Sequence, residues 1–182
     1  MNFITISNNL ILRLFEQKDA EEFFKLIKKN KTYLTEFMPR ILETKSLYKA
    51  KKVIEIFESE YVNQKGFRTA IFWGKDMIGV AGLKNIDTIN NKSEIMYWID
   101  RDYAQKGIAS ACVTKLIEIA FEKYNNNKII IKTSVNNIAS IRVAEKCGFI
   151  LEATLKDDEL LLNGYTNVNI YSLLKKDYIK KT

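Results

Sequence analysis

Histidine is missing altogether from this 182-residue chain. With it go the usual general base, the usual transition-metal ligand and every histidine-containing triad, so catalysis must use carboxylates, hydroxyls or backbone dipoles. The two cysteines, Cys112 and Cys147, each sit inside an apolar pattern rather than in a paired spacing. That suggests neither a disulfide framework nor a zinc site, and no metal is expected. Proline occurs once, at Pro39, and there is no repeat, low-complexity tract or Pro/Gly/Ser linker. Residues 1–182 therefore read as one domain, long enough to bury a continuous core. Long apolar runs are absent too: Lys128-Ile129-Ile130-Ile131-Lys132 is broken by charge after three residues, far short of the ~20 that span a bilayer. The start, Met1-Asn2-Phe3-Ile4-Thr5, lacks the basic and apolar regions of a secretory signal. A cytoplasmic protein without membrane contact is expected.

What is abundant is positive charge, +7 net, which favours anionic partners through long-range steering. The 24 lysines and 5 arginines are scattered along the chain. Nucleic-acid binders cluster such groups on one element, so no nucleic acid is expected as partner.

Hydrophobic periodicity predicts a strand at Leu10–Leu14, then a helix capped by Asp19 with Glu22 answering it, ending near Asn30. A second helical stretch is expected near Tyr33–Phe37, and a longer helix from about Ser46 to Asn63. Strands follow at Phe67–Trp73, Met77–Asn85 and Ser93–Asp100 as an antiparallel meander. Gly107–Tyr124 reads as a helix, Lys128–Ser134 as a buried strand and Ile138–Lys146 as a helix closed by Gly148. A hairpin turning at Asn163-Gly164 closes the chain, with strands near Phe149–Leu162 and Tyr165–Leu174. These elements make an α/β (α+β) domain around one mixed sheet, the long helix before Lys128 implying a parallel neighbour there.

Tyr103-Ala104-Gln105-Lys106-Gly107-Ile108-Ala109-Ser110 follows a strand and opens a helix. Such a turn can present backbone N–H groups and the helix dipole to an anion, with Gly107 and Ala109 small enough for close approach and Lys106 and Ser110 adding donors. On spacing alone it reads equally well as an ordinary strand-to-helix turn. It is neither a Walker loop nor a dinucleotide fingerprint. Farther on come Asn137-Ile138-Ala139-Ser140 and Arg142-Val143-Ala144-Glu145-Lys146-Cys147-Gly148-Phe149, where Asn137 suits a helix N-cap.

These two stretches resemble the acetyl-CoA pyrophosphate loop, Gln/Arg-x-x-Gly-x-Gly/Ala, and the N-x-x-S…A-x-x-x-G-F segment of the GNAT superfamily of N-acetyltransferases. The likeness continues through Leu10-x-Leu12-Arg13-Leu14, Ile78-Gly79-Val80-Ala81-Gly82-Leu83 and Glu94-Ile95-Met96-Tyr97-Trp98-Ile99, and it is closest to the ribosomal-protein N-terminal acetyltransferase branch. It departs from the pattern at Ala104, where the first loop position falls, at Met96 in place of glycine, and at Arg40, where a tryptophan follows the proline.

The resemblance implies the GNAT fold: one mostly antiparallel sheet with a parallel pair in the middle, flanked by helices. It implies acetyl-CoA as co-substrate, held by the backbone near Trp98 and Ile99, by Gln105, Lys106, Gly107, Ile108, Ala109 and Ser110, and by Asn137. It places a carboxylate base at Glu159, with Glu94 as second candidate, and a proton or hydrogen-bond donor to the sulfur at Ser140. Direct transfer from thioester to amine needs no covalent enzyme intermediate, so the missing histidine is no obstacle. The acceptor expected is the N-terminal amine of a ribosomal or other cytoplasmic protein, acted on by a monomer or homodimer. The alternatives are a small amine (polyamine, antibiotic or amino acid) or an acyl-CoA-binding module without turnover. Cys112 and Cys147 as acyl carriers are a poorer reading, since core packing explains both.

Overall fold

The computed structural model describes residues 3–178. Eight strands form one sheet: β1 Phe3–Ser7, β2 Leu10–Leu14, β3 Phe67–Trp73, β4 Asp76–Asp87, β5 Lys92–Ile99, β6 Lys128–Ser134, β7 Ile150–Leu161 and β8 Gly164–Leu174. Their spatial order is β1-β2-β3-β4-β5-β6-β8-β7. Every neighbouring pair is antiparallel except β5 and β6, which are joined by a crossover through α3 Ile108–Glu118.

Helices α1 Ala20–Thr35 and α2 Leu47–Val62 cover one face and α3 and α4 Ile138–Lys146 the other. Two apolar clusters result. Phe15, Phe23, Ile54, Val80 and Trp98 fill the space under α1 and α2; Ile95, Ile99, Cys112, Leu116, Ile129 and Ile131 fill the space under α3 and α4. The period-2 alternation of β5 sends Trp98 to the first and Ile95 and Ile99 to the second. Because the central strands are covered on both faces, β3 and β4 read as nearly continuous apolar runs. Among the described residues no helix is long and apolar enough to cross a membrane.

One strand lies where none was expected, and two expectations are corrected. Phe3–Ser7 is a strand, an edge element whose side chains stay exposed or half-buried. The helix expected to stop at Asn30 runs on to Thr35 and absorbs most of the second stretch. Asp19 does not cap it. Its carboxylate instead takes two hydrogen bonds from the Arg13 guanidinium, at 3.0 and 2.7 Å, and one from the Glu16 N–H at 2.8 Å, while Glu22 accepts from the Met77 N–H at 2.8 Å. A guanidinium fork outcompetes a lone helix N–H for the carboxylate. After α3 the chain widens into a π turn over Ile119–Lys123, which lets Ile119, Ala120 and Phe121 all be buried in succession.

The centre of the sheet is tight. A methyl group at Gly79 would stand 2.2 Å from the Trp98 carbonyl oxygen and 3.0 Å from the Ile99 Cα, both backbone atoms. Gly79→Ala is accordingly expected to cost about 1–3 kcal/mol of stability through forced strand displacement. Urea unfolding measures this, and an unmoved midpoint would show that β4 and β5 can yield.

Candidate active site

The parallel pair is brief. β5 and β6 are paired only at Lys92↔Lys128, Ser93↔Ile129 and Glu94↔Ile130. Beyond Glu94, β5 keeps β4 as partner and β6 keeps β8, but the two no longer pair with each other. The parting leaves the backbone polar groups of the alternate residues Ile95, Tyr97 and Ile99 facing a gap, a ready template for an extended ligand with amide groups. Trp98 and Ile99 are both buried, and the Trp98 indole stacks on Phe23 with ring centroids 6.4 Å apart. Their side chains belong to the core; the Asp100 N–H bonds the Ile78 carbonyl, so by antiparallel alternation Trp98 bonds back to Val80 and the backbone of Ile99 is the one that faces the gap.

The gap opens toward the N-termini of two helices. Asp100, buried at the end of β5, accepts from the Asp102 N–H at 3.1 Å and pairs with Lys29 of α1 at 2.6 Å. This anchors the turn that leads into α3. Gln105 and Gly107 both adopt left-handed backbone, φ +61° and +77°. Left-handed residues just ahead of a helix turn successive N–H groups toward one side, which is how backbone nests hold phosphates. Nothing lies within 4 Å of a Cβ built on Gly107, so that side is open. Gln105 and Lys106 are exposed, Ala109 and Ser110 half-buried. Lys106 Nζ rests 4.9 Å above the Tyr103 ring. Ile108 is buried in the core under α3, and only its N–H can face the cradle.

At the other helix, Asn137 Oδ1 accepts the Ser140 N–H at 3.1 Å and caps α4. The Ser140 hydroxyl lies 3.0 Å from the Tyr97 hydroxyl of β5. A serine on α4 and a tyrosine on β5 thus meet across the gap. Burial pushes the Tyr97 phenol up to about 12, so it remains a hydrogen-bond donor throughout the physiological range. Sequence reading did not single out Tyr97; its period-2 position on β5, facing the α3 side between Ile95 and Ile99, was the available signal.

The carboxylates divide sharply. Glu94 is buried, ion-paired to Lys84 at 2.7 Å and hydrogen-bonded by the Asn85 amide at 3.1 Å. Its charge is already spoken for. Glu159, on β7 opposite Thr166, is an exposed residue, yet its carboxyl is raised above the ordinary carboxylate range, first by partial desolvation and then by Asp158 and Glu94, while Lys84 and Lys132 pull the other way. Those charges locate it: Lys84 and Glu94 flank the last β5–β6 pairing, and Lys132 lies just beyond it on β6.

Neither cysteine is poised as a nucleophile. Burial pushes Cys112 up to about 12 and raises Cys147, so both stay as thiols. Among the described residues no metal-ligating cluster gathers.

Residues 9–150 match the acetyltransferase (GNAT) domain family. A putative ribosomal N-acetyltransferase of Bacillus subtilis, YdaF, is 32% identical over 176 residues, covering 95% of each chain. The ribosomal-protein-serine acetyltransferase of Escherichia coli is 30% identical over 173 residues, covering 93% of this chain and 94% of the relative. Among solved structures, that of RimL, a ribosomal L7/L12 α-N-protein acetyltransferase in complex with coenzyme A, superposes with a TM-score of 0.93 at 26% identity, over 97% of this chain and 99% of the other.

Proposed function

The chain belongs to the GNAT acetyltransferase family and uses acetyl-CoA, and from that premise we propose that residues 1–182 act as one cytoplasmic catalytic domain that acetylates the N-terminal α-amine of a ribosomal protein. The observation that supports the mechanism most is the Ser140–Tyr97 hydroxyl pair where β5 and β6 part, with the left-handed turn into α3 read as the phosphate cradle and Glu159, an exposed β7 residue with a raised carboxyl, read as the carboxylate.

The cradle at Gln105–Ser110 fits a diphosphate: its glycine is open on the ligand side and its N–H groups lead into an eleven-residue helix. The exposed β5 edge fits the amides of a pantetheine arm, as does Asn137 at the head of α4. An α-ammonium has a pKa near ~8, and a carboxyl raised above the usual range is better matched to accept its proton, directly or through one water. Glu159 takes that role over Glu94, because Glu94 is engaged by Lys84 and Asn85. The backbone near Trp98 and Ile99 supplies donors to the developing oxyanion. Ser140, oriented by Tyr97, gives a hydrogen bond or proton to the departing sulfur.

The test is thiol release from acetyl-CoA with purified protein and a panel of ribosomal-protein N-terminal peptides set beside polyamines and amino acids. Higher kcat/KM for a peptide is the result expected. Preference for a polyamine would move the assignment to small amines, and tight acetyl-CoA binding without release for any amine would overturn the enzymatic reading.

A further inference from the structure

Glu159 and Ser140 lie on different elements, yet one residue of β8 bonds to the segments that carry both. Asn167 accepts the Asp157 N–H through its side-chain Oδ1 at 3.0 Å and the Val135 N–H through its backbone carbonyl at 3.0 Å. The first contact stands in an irregular stretch of β7. Pairing steps from Leu155↔Val168 to Glu159↔Thr166, so four residues of β7 are spanned by two of β8. Asp157, inside this bulge, has φ +47°. A bulge re-aims the residues that follow it, and its displaced N–H groups have no ladder carbonyl opposite. The Asn167 amide oxygen provides the acceptor there.

The second contact begins the turn into α4. Ser134 closes that turn by accepting the Asn137 N–H through its carbonyl at 3.0 Å and the Asn136 N–H through its hydroxyl at 3.2 Å. The same hydroxyl lies 3.2 Å from that of Thr166, the strand partner of Glu159. Asn137 then caps the helix that carries Ser140. Residues 166–167 are therefore common ground for the two chemical groups, and the Asn167 side chain is the part of them that bonds the bulge.

Resting on the reading of Glu159 as base, we propose that Asn167 is a positioning residue: its side-chain oxygen fixes the β7 bulge at Asp157 and so aims the Glu159 carboxylate at the acceptor amine. It touches neither substrate. Asn167→Ala leaves the bulge free to shift, and misplacement of a catalytic group by about an ångström costs on the order of 10- to 100-fold in rate.

The experiment compares kcat, acetyl-CoA affinity by calorimetry and the unfolding midpoint for Asn167→Ala, Asn167→Asp, Glu159→Gln and the double variant Asn167→Ala/Glu159→Gln. In the expected result Asn167→Ala loses about 10- to 100-fold in kcat with affinity unchanged. Asn167→Asp, which keeps the acceptor oxygen, recovers most of the rate, and Asn167→Ala adds nothing once Glu159 is gone. Losses that multiply in the double variant would mean a merely structural role and overturn the proposal, as would an unaltered kcat in Asn167→Ala beside a slow Glu159→Gln. A Glu159→Gln variant that turns over normally would instead remove the base assignment itself, and the proposal with it.

Discussion

Replacing Glu159 by glutamine is expected to cut turnover about 100-fold or more while leaving acetyl-CoA affinity unchanged, because general base catalysis contributes roughly 10²–10⁴ and this carboxyl lies outside the cofactor cradle. Its titration gives the prediction a second edge. Partial desolvation raises the carboxyl of the exposed Glu159 above its ordinary value of 4.5, and only the ionised form can accept a proton. The acid limb of the kcat profile should therefore lie above the usual carboxylate range and vanish in Glu159→Gln. The sign for stability runs the other way. A raised carboxyl binds more protons folded than unfolded, so its contribution is most favourable below 4.5 and declines as pH rises through the folded-state value. At neutral pH the ionised carboxylate thus costs some stability, and Glu159→Gln should not lower the unfolding midpoint. Loss of rate together with loss of stability would mark Glu159 as a scaffold residue; loss of rate alone supports the base.

Much of this arrangement is legible in the amino-acid sequence. β3, β6 and α4 lie where period, apolar runs and punctuation place them, since each is bounded by strong signals: Gly74 after β3, Ser134 before the turn to α4, and Asn137 and Gly148 at the ends of α4. What escapes is what depends on partners far along the chain. Asn30 looks like a helix stop, but its buried amide donates to the Leu26 carbonyl at 3.1 Å and accepts the Arg101 N–H at 2.9 Å, so it continues α1 and ties it to the turn before the phosphate cradle. β1 is short, and its inner face, Ile4 and Ile6, is only half-buried against the core, so its alternation spans too few residues to stand out. Within the site, the motif residues Gly107, Asn137 and Ser140 are visible as local signals, whereas the hydroxyl that Ser140 meets comes from Tyr97, 43 residues away. Asp157-Asp158-Glu159 places three acids in a row, which the sequence alone does not tell apart. In the structure Asp157 lies in the bulge with left-handed backbone, and Glu159 pairs opposite Thr166.

Gly107→Val is expected to weaken acetyl-CoA binding by about 10- to 100-fold, and the reason can be separated into two parts. Space within the protein is not one of them, since nothing stands within 4 Å of the added Cβ. The first is conformation. At φ +77° a β-branched residue is an outlier whose strain costs roughly 1–3 kcal/mol, and relief of that strain would swing the N–H groups of Lys106–Ala109 away from a common centre. The second is approach. On the proposed cradle the diphosphate approaches Gly107 from its open side, so any side chain there intrudes on the contact between backbone and anion. Gly107→Asn divides the two, because asparagine tolerates left-handed backbone but still projects a side chain. If Asn restores affinity to near that of the native chain, the cradle depends on its backbone shape. If Asn is as damaging as Val, close approach dominates. A valine variant that binds acetyl-CoA normally by calorimetry would place the diphosphate elsewhere, and the β5–β6 parting would then have to hold the cofactor from its pantetheine end alone.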